Sequence, residues 1–203
     1  DKRLVFVPGR EADMRIDAML QARAIARHAF IHAHPGSRWL FKCWTPRANA
    51  AFLDRVASDG YAIVVTGAPD PREREIVAAT LDAIAPHTRA QLLDLGGRLT
   101  LPEVGAITAR ARLFFGVDSA PMHIAAAMGT PTLALFGPSG EHEWGPWGVA
   151  QRVVVSRAHP CRPCGIDGCG GGKVSECLTS LPVGDVYDAF TSLLRETRER
   201  AAR

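Results

Sequence analysis

The chain has 203 residues, enough for one large domain or one domain with a connecting arm. Hydrophobic residues make up 47% and charged residues 22%, the balance of a chain that buries a sizeable core, which argues against extensive disorder. Lys+Arg 24 against Asp+Glu 21 leaves a formal net charge of +3, too mild to point to nucleic acid as a partner. Leu4 to Val7 reads as a short strand or extended arm, stopped by Pro8-Gly9. Glu11 to His28 reads as a helix. From there strands and helices alternate. Phe30–His34 is a strand, Pro46–Ser58 a helix, Tyr61–Thr66 a strand and Arg72–Ile84 a helix. Gln91–Leu95, Arg112–Val117 and Thr132–Phe136 read as strands, separated by helices at Leu101–Ala109 and Pro121–Met128. Val153–Ser156 is a sixth strand candidate, and Val183–Arg200 closes the chain as a helix. This rhythm predicts an α/β fold: a Rossmann-like parallel sheet with helices on both faces.

No apolar run approaches the roughly 18–20 residues of a membrane-spanning helix. The start lacks the long apolar stretch and cleavage site of a signal peptide. It also lacks an initiator Met, which fits a processed or cut chain. The basic tail Arg195, Arg198, Arg200 and Arg203 also carries Glu196 and Glu199. It reads as a solvated helix end, with contact to an anionic membrane face as the weaker alternative.

Ligands in open α/β sheets bind beyond the carboxyl ends of the strands, so the loops there hold the candidates. After the first strand, Gly36 and Ser37 form a turn, and Arg38 and Lys42 bring cations to the same mouth. Small residues with a cation suit a phosphate, and a surface turn with solvated cations is the other reading. After the second strand, Glu73 is placed to accept ribose hydroxyls or simply to complement a helix end. The third loop runs from a strand straight into a helix through Val117-Asp118-Ser119-Ala120-Pro121-Met122-His123. Ser119 reads as the N-cap and Pro121 sits in the first turn. A helix start with free N–H groups is a seat for a diphosphate, with Asp118 and His123 beside it. There is no Gly-x-Gly-x-x-Gly, no Walker loop and no Gly-x-Ser-x-Gly nucleophile elbow.

Taken together these loops resemble the bacterial lipopolysaccharide heptosyltransferases. The run from Val117 to Ala127 is similar to that family's most diagnostic motif, and Gly129-Thr130-Pro131 and Leu135-Phe136-Gly137-Pro138 follow in family order. Phe41-Lys42-Cys43-Trp44 most resembles the branch that adds the third, side-branch heptose. The resemblance implies the C-terminal, donor-binding domain of a two-domain GT-B glycosyltransferase over residues 30–203, with 1–29 as the interdomain linker segment. It implies an enzyme that transfers heptose with inversion from ADP-L-glycero-D-manno-heptose to the inner core. Lys42 and Asp118 would be catalytic. Ser37, Lys42, Glu73, Leu99, Asp118, Ser119, Ala120 and His123 would bind the donor, with Glu73 at the ribose and Leu99 on the adenine. No cofactor is required by this reading, and no Asp-x-Asp pair offers a metal site for the donor. The acceptor and the general base would belong to an N-terminal domain without counterpart here. The implied setting is the cytoplasm, at most touching the inner membrane. A stand-alone ADP-sugar-binding module without catalysis, or a similar fold using another nucleotide sugar, are the alternatives.

Cys161-x2-Cys164-x4-Cys169-x7-Cys177 leaves two readings open, a structural zinc site or reduced thiols in a flexible, glycine-rich loop.

Overall fold

The computed structural model describes residues 4–201. Its strands are β1 (Phe30–His34), β2 (Ala62–Gly67), β3 (Leu92–Gly96), β4 (Leu113–Val117), β5 (Thr132–Phe136) and β6 (Gln151–Val155). The helices are α1 (Arg10–Ala22), α2 (Pro46–Ser58), α3 (Pro71–Ala83), α4 (Pro86–Ala90), α5 (Leu101–Arg110), α6 (Ala120–Ala127), α7 (Glu141–Trp144), α8 (Glu176–Thr179) and α9 (Val183–Ala201). The strands form one sheet in the order β3-β2-β1-β4-β5-β6, every pairing parallel.

Side chains alternate across each strand, so each strand feeds two cores. Ile31 and Ala33, Ile63 and Val65, and Leu133 and Leu135 point one way, into a core shared with Phe52 and Val56 of α2 and Phe190 and Leu193 of α9. Phe30 and Val64 point the other way, against Ile16 and Leu20 of α1 and Ala106 and Ile107 of α5. Phe114, Ala134 and Phe136 close the rest of that face against Met122 and Ala125 of α6. Burial on both faces explains why β4 and β5 read as continuous apolar runs.

Two sequence expectations change, and one is narrowed. Of the two readings of Leu4–Val7 the structure has the arm, which pairs with no strand; Phe6 lies over Gly105 of α5, where any side chain would collide with its ring. The helix expected over Glu11–His28 stops at Ala22, and Ala24 and His28 take positive φ of 52° and 58°. Left-handed residues end a right-handed helix, and here the turn lets Ile25 pack against the second core, which outweighs local helix propensity. The sixth strand begins at Gln151, earlier than expected.

α1 is tied down by charge as well as packing. Buried Arg110 of α5 donates from Nε to Asp17 at 2.5 Å and from Nη1 to Asp13 at 2.8 Å. The Arg110 guanidinium holds the Asp17 carboxyl below the usual carboxylate range. Among the described residues no helix is long and apolar enough to cross a membrane.

Candidate functional site

Strand order reverses between β1 and β4, so the loops leaving their carboxyl ends part and open a crevice. A cleft of 790 Å³ lies there. The loop after β1 contributes Ser37 and Lys42, and the first turn of α3 contributes Glu73. Leu99 comes from the segment before α5. The exit of β4 and the start of α6 supply Asp118, Ser119, Ala120 and His123. All the sequence-predicted residues therefore line one cleft. A smaller cavity of 320 Å³ lies at the amino ends of the strands, beside Arg23, Ala29 and Gln91, and holds none of them.

Lys42 Nζ donates to Asp118 Oδ2 at 2.6 Å. The Lys42 side chain is 23% exposed and that of Asp118 7%, so the cation is the more open partner. A short 3-10 turn, Leu40–Lys42, holds the lysine, with Phe41 buried beneath it. Ser37 is buried, and its hydroxyl accepts from the Trp39 N–H at 3.2 Å, which shapes the same loop. His123 stands beside the ion pair. Burial pushes its imidazole down, Asp118 works against that, and Lys42 adds to it. The ring is therefore biased towards its neutral form.

The start of α6 differs from the expectation in one respect. Ser119 occupies the N-cap position with extended backbone, but its side chain caps nothing; the hydroxyl donates back to the Val117 carbonyl at 3.2 Å. Elsewhere Thr45 caps α2, Asp70 caps α3, and Thr100 with Glu103 forms a capping box on α5. Among the described residues the N–H groups of Ser119 and Ala120 have no partner in the protein. Orphan donors at the positive end of a helix dipole attract an anion.

Glu73 is almost fully buried, and its Oε2 accepts from the Ala68 N–H at 3.1 Å. Burial pushes its carboxyl up, but hydrogen bonds from His34 and Ala68 outweigh that and hold it below its usual value. Leu99 lies against the edge of the second core and forms an apolar wall with Leu101 and Val104. Sequence reasoning missed His34, Trp39 and Trp144, which also line the cleft. Trp144 sits on a four-residue helix, too short for periodicity to reveal its direction.

The cysteine-rich loop, read from sequence as either a zinc site or reduced thiols, divides its four cysteines between surface and core. Among the described residues no group of three or more His, Cys, Asp or Glu is placed to hold a metal ion. Cys177 is drawn into the core, while Cys161, Cys164 and Cys169 stay exposed. Burial pushes the Cys177 thiol up, and it pushes that of Cys43 up to about 12. The thiolate is the reactive form. A colorimetric thiol titration at about pH 8 is therefore expected to show three fast thiols, with Cys43 and Cys177 reacting only after unfolding.

The sequence model of glycosyltransferase family 9 (heptosyltransferase) matches residues 8–174. Over 119 residues the chain is 39% identical to lipopolysaccharide heptosyltransferase 3 of Escherichia coli, a match covering 58% of this chain and 34% of that relative. A family 9 glycosyl transferase from Veillonella parvula superposes with a TM-score of 0.78 at 23% identity, over 97% of this chain and 55% of that one. An E. coli heptosyltransferase solved with ADP does so with a TM-score of 0.62 at 18% identity, over 82% and 45%. The chain thus spans about a third of the length of the curated relatives it matches and about half of the solved chains. Structural likeness at these identities establishes the fold, and the family match over most of the sequence establishes descent: the chain belongs to glycosyltransferase family 9, the heptosyltransferases.

Proposed function

We propose that this chain is the donor-binding domain of an inverting heptosyltransferase, holding ADP-heptose while the sugar passes to the lipopolysaccharide inner core at the cytoplasmic face of the inner membrane. Residues 1–29 would join it to an acceptor-binding domain that supplies the general base. The observation that carries the reading is the Lys42–Asp118 pair in the same cleft as the unpartnered amides of Ser119 and Ala120. A cation and a helix N-terminus suit a diphosphate. Glu73 would take the ribose hydroxyls, and Leu99 with its apolar neighbours the base. Asp118 and His123 would face the sugar. The solved relative that holds ADP supports adenine as that base.

In the reaction the acceptor oxygen gives its proton to the general base of the acceptor domain and bonds to the anomeric carbon from one face, and the bond to the diphosphate oxygen breaks on the other. ADP leaves with the electron pair. Lys42 and the α6 N-terminus would meet the charge that develops on the leaving oxygen, an electrostatic role that needs no proton transfer. No cofactor enters these steps.

Calorimetric titration with ADP and UDP tests the donor assignment. Adenine covers more apolar wall than uracil. At about 25 cal/mol per Å², some ~50 Å² of extra contact corresponds to roughly tenfold tighter binding. Tighter binding of UDP would transfer the reading to another nucleotide sugar.

A further inference from the structure

His32 and His34 stand on the side of β1 that faces α5, in a layer otherwise built from Phe30, Val64 and Ile107. Both are buried, and both bond to one hydroxyl on the neighbouring strand. His32 Nε2 lies 2.7 Å and His34 Nδ1 2.8 Å from Thr66 Oγ1. At the inner end His32 Nδ1 lies 2.9 Å from Thr108 Oγ1, and that hydroxyl donates to the Val104 carbonyl at 2.5 Å. At the outer end His34 Nε2 lies 3.4 Å from Glu73 Oε2. A buried chain thus runs from a backbone carbonyl of α5 to a carboxylate in the cleft.

Each hydroxyl has one proton, and that sets the direction of every bond. Thr108 gives its proton to the Val104 carbonyl, which can only accept. It must therefore accept from His32, whose proton sits on Nδ1. Burial pushes His32 down to about 3, so the ring is neutral and its Nε2 is a bare acceptor. Thr66 gives its proton to that nitrogen and accepts from His34 Nδ1–H. Only Nε2 of His34 is left, and it faces Glu73. A bare nitrogen there would set a lone pair against a buried carboxylate, so the arrangement calls for a second proton on His34. Glu73 Oε2 then faces the His34 Nε2–H across 3.4 Å and accepts from the Ala68 N–H. Its Oε1 has no partner among the described residues.

We propose that His34 is a positioning residue: as an imidazolium wired through Thr66 and His32 to α5, it clamps Oε2 of Glu73 and presents Oε1 to the ribose hydroxyls of the donor. The ribose part rests on the donor-site reading above. The other titratable groups facing the pair are His32 on β1, Cys43 after the 3-10 turn, and Asp70 at the start of α3. Cys43, pushed up to about 12, stays neutral, and Arg72 holds Asp70 ionised.

The test reads the histidine ring nitrogens of the ligand-free, ¹⁵N-labelled chain by NMR and ADP affinity by calorimetry, both at neutral pH. His32 is expected to hold a single Nδ1–H tautomer and His34 to carry protons on both nitrogens. Thr66→Ser should keep both ring states and the affinity, and Thr66→Val should disturb the His34 ring state and weaken ADP binding by about three- to tenfold. A singly protonated His34 overturns the proposal, as does an ADP affinity unchanged in Thr66→Val. Expected ring states with no ADP binding would sink the ribose assignment and with it the positioning role, leaving a purely structural chain.

Discussion

Lys42→Ala is expected to weaken ADP binding by about 10- to 100-fold. Two effects act in the same direction. On the proposed donor site, the variant removes a hydrogen bond from an ionised donor to the diphosphate, worth about 1.5–3 kcal/mol. It also strips Asp118 of the partner held at 2.6 Å, and leaves that carboxylate, 7% exposed, facing an incoming anion. The second effect separates this site from an ordinary surface cation, whose loss costs little. Adding Asp118→Asn should recover part of the loss, because the repulsion goes with the charge. Calorimetry on native, single and double variants reads both terms. Unchanged affinity in Lys42→Ala would put the diphosphate somewhere other than between this lysine and α6.

Phe52→Ala is expected to remove about 3–5 kcal/mol of folding stability, measured by urea unfolding. The ring is fully buried on α2. It lies 4.4 Å from the Phe115 ring on β4 and meets Phe190 of α9 edge-on at 5.6 Å and 90°. One side chain thus joins the sheet to two helices that are far apart in sequence. A loss of that size is a large share of the ~5–15 kcal/mol typical of a domain. Phe190→Ala should cost a comparable amount, and a double-mutant cycle should give about 0.5–1.5 kcal/mol of coupling between the rings. Phe52 does not line the cleft, so ADP affinity of the folded variant should match the native chain. A cost under about 1 kcal/mol would mean that this side of the sheet relaxes around the void.

The contrast between these two residues reflects what a sequence makes legible. Strands and helices were readable because β4 and β5 are buried on both faces and their helices begin at Pro, Thr or Asp. Their spatial order was not, because parallel strands joined by helices carry no turn chemistry that names a neighbour. The α6 loop was readable because a strand exit runs directly into a helix start. Where the Ser119 hydroxyl points was not, since a capping and a non-capping serine look alike in sequence. Glu73 was left between two roles, and it occupies the position for both: it stands in the first turn of α3 and it lines the cleft. His34 escaped notice because its partner Thr66 lies 32 residues away and meets it only through the β1–β2 register. The end of α1 was misjudged because the packing of the partly buried Ile25 against the second core, a tertiary event, decides it.

The turned-back hydroxyl of Ser119 has a consequence for thermal tolerance. A carboxylate at a helix N-terminus contributes about 0.3–1 kcal/mol through the helix dipole. A lineage pressed only to survive heat would gain by placing Asp at position 119, whose carboxylate would complement the positive end of α6. It would also seat a permanent negative charge where the donor's diphosphate is proposed to sit. Stabilising screens on this protein should therefore find Ser119→Asp among the survivors and lose ADP binding with it, which makes position 119 a place where endurance and activity are traded one against the other.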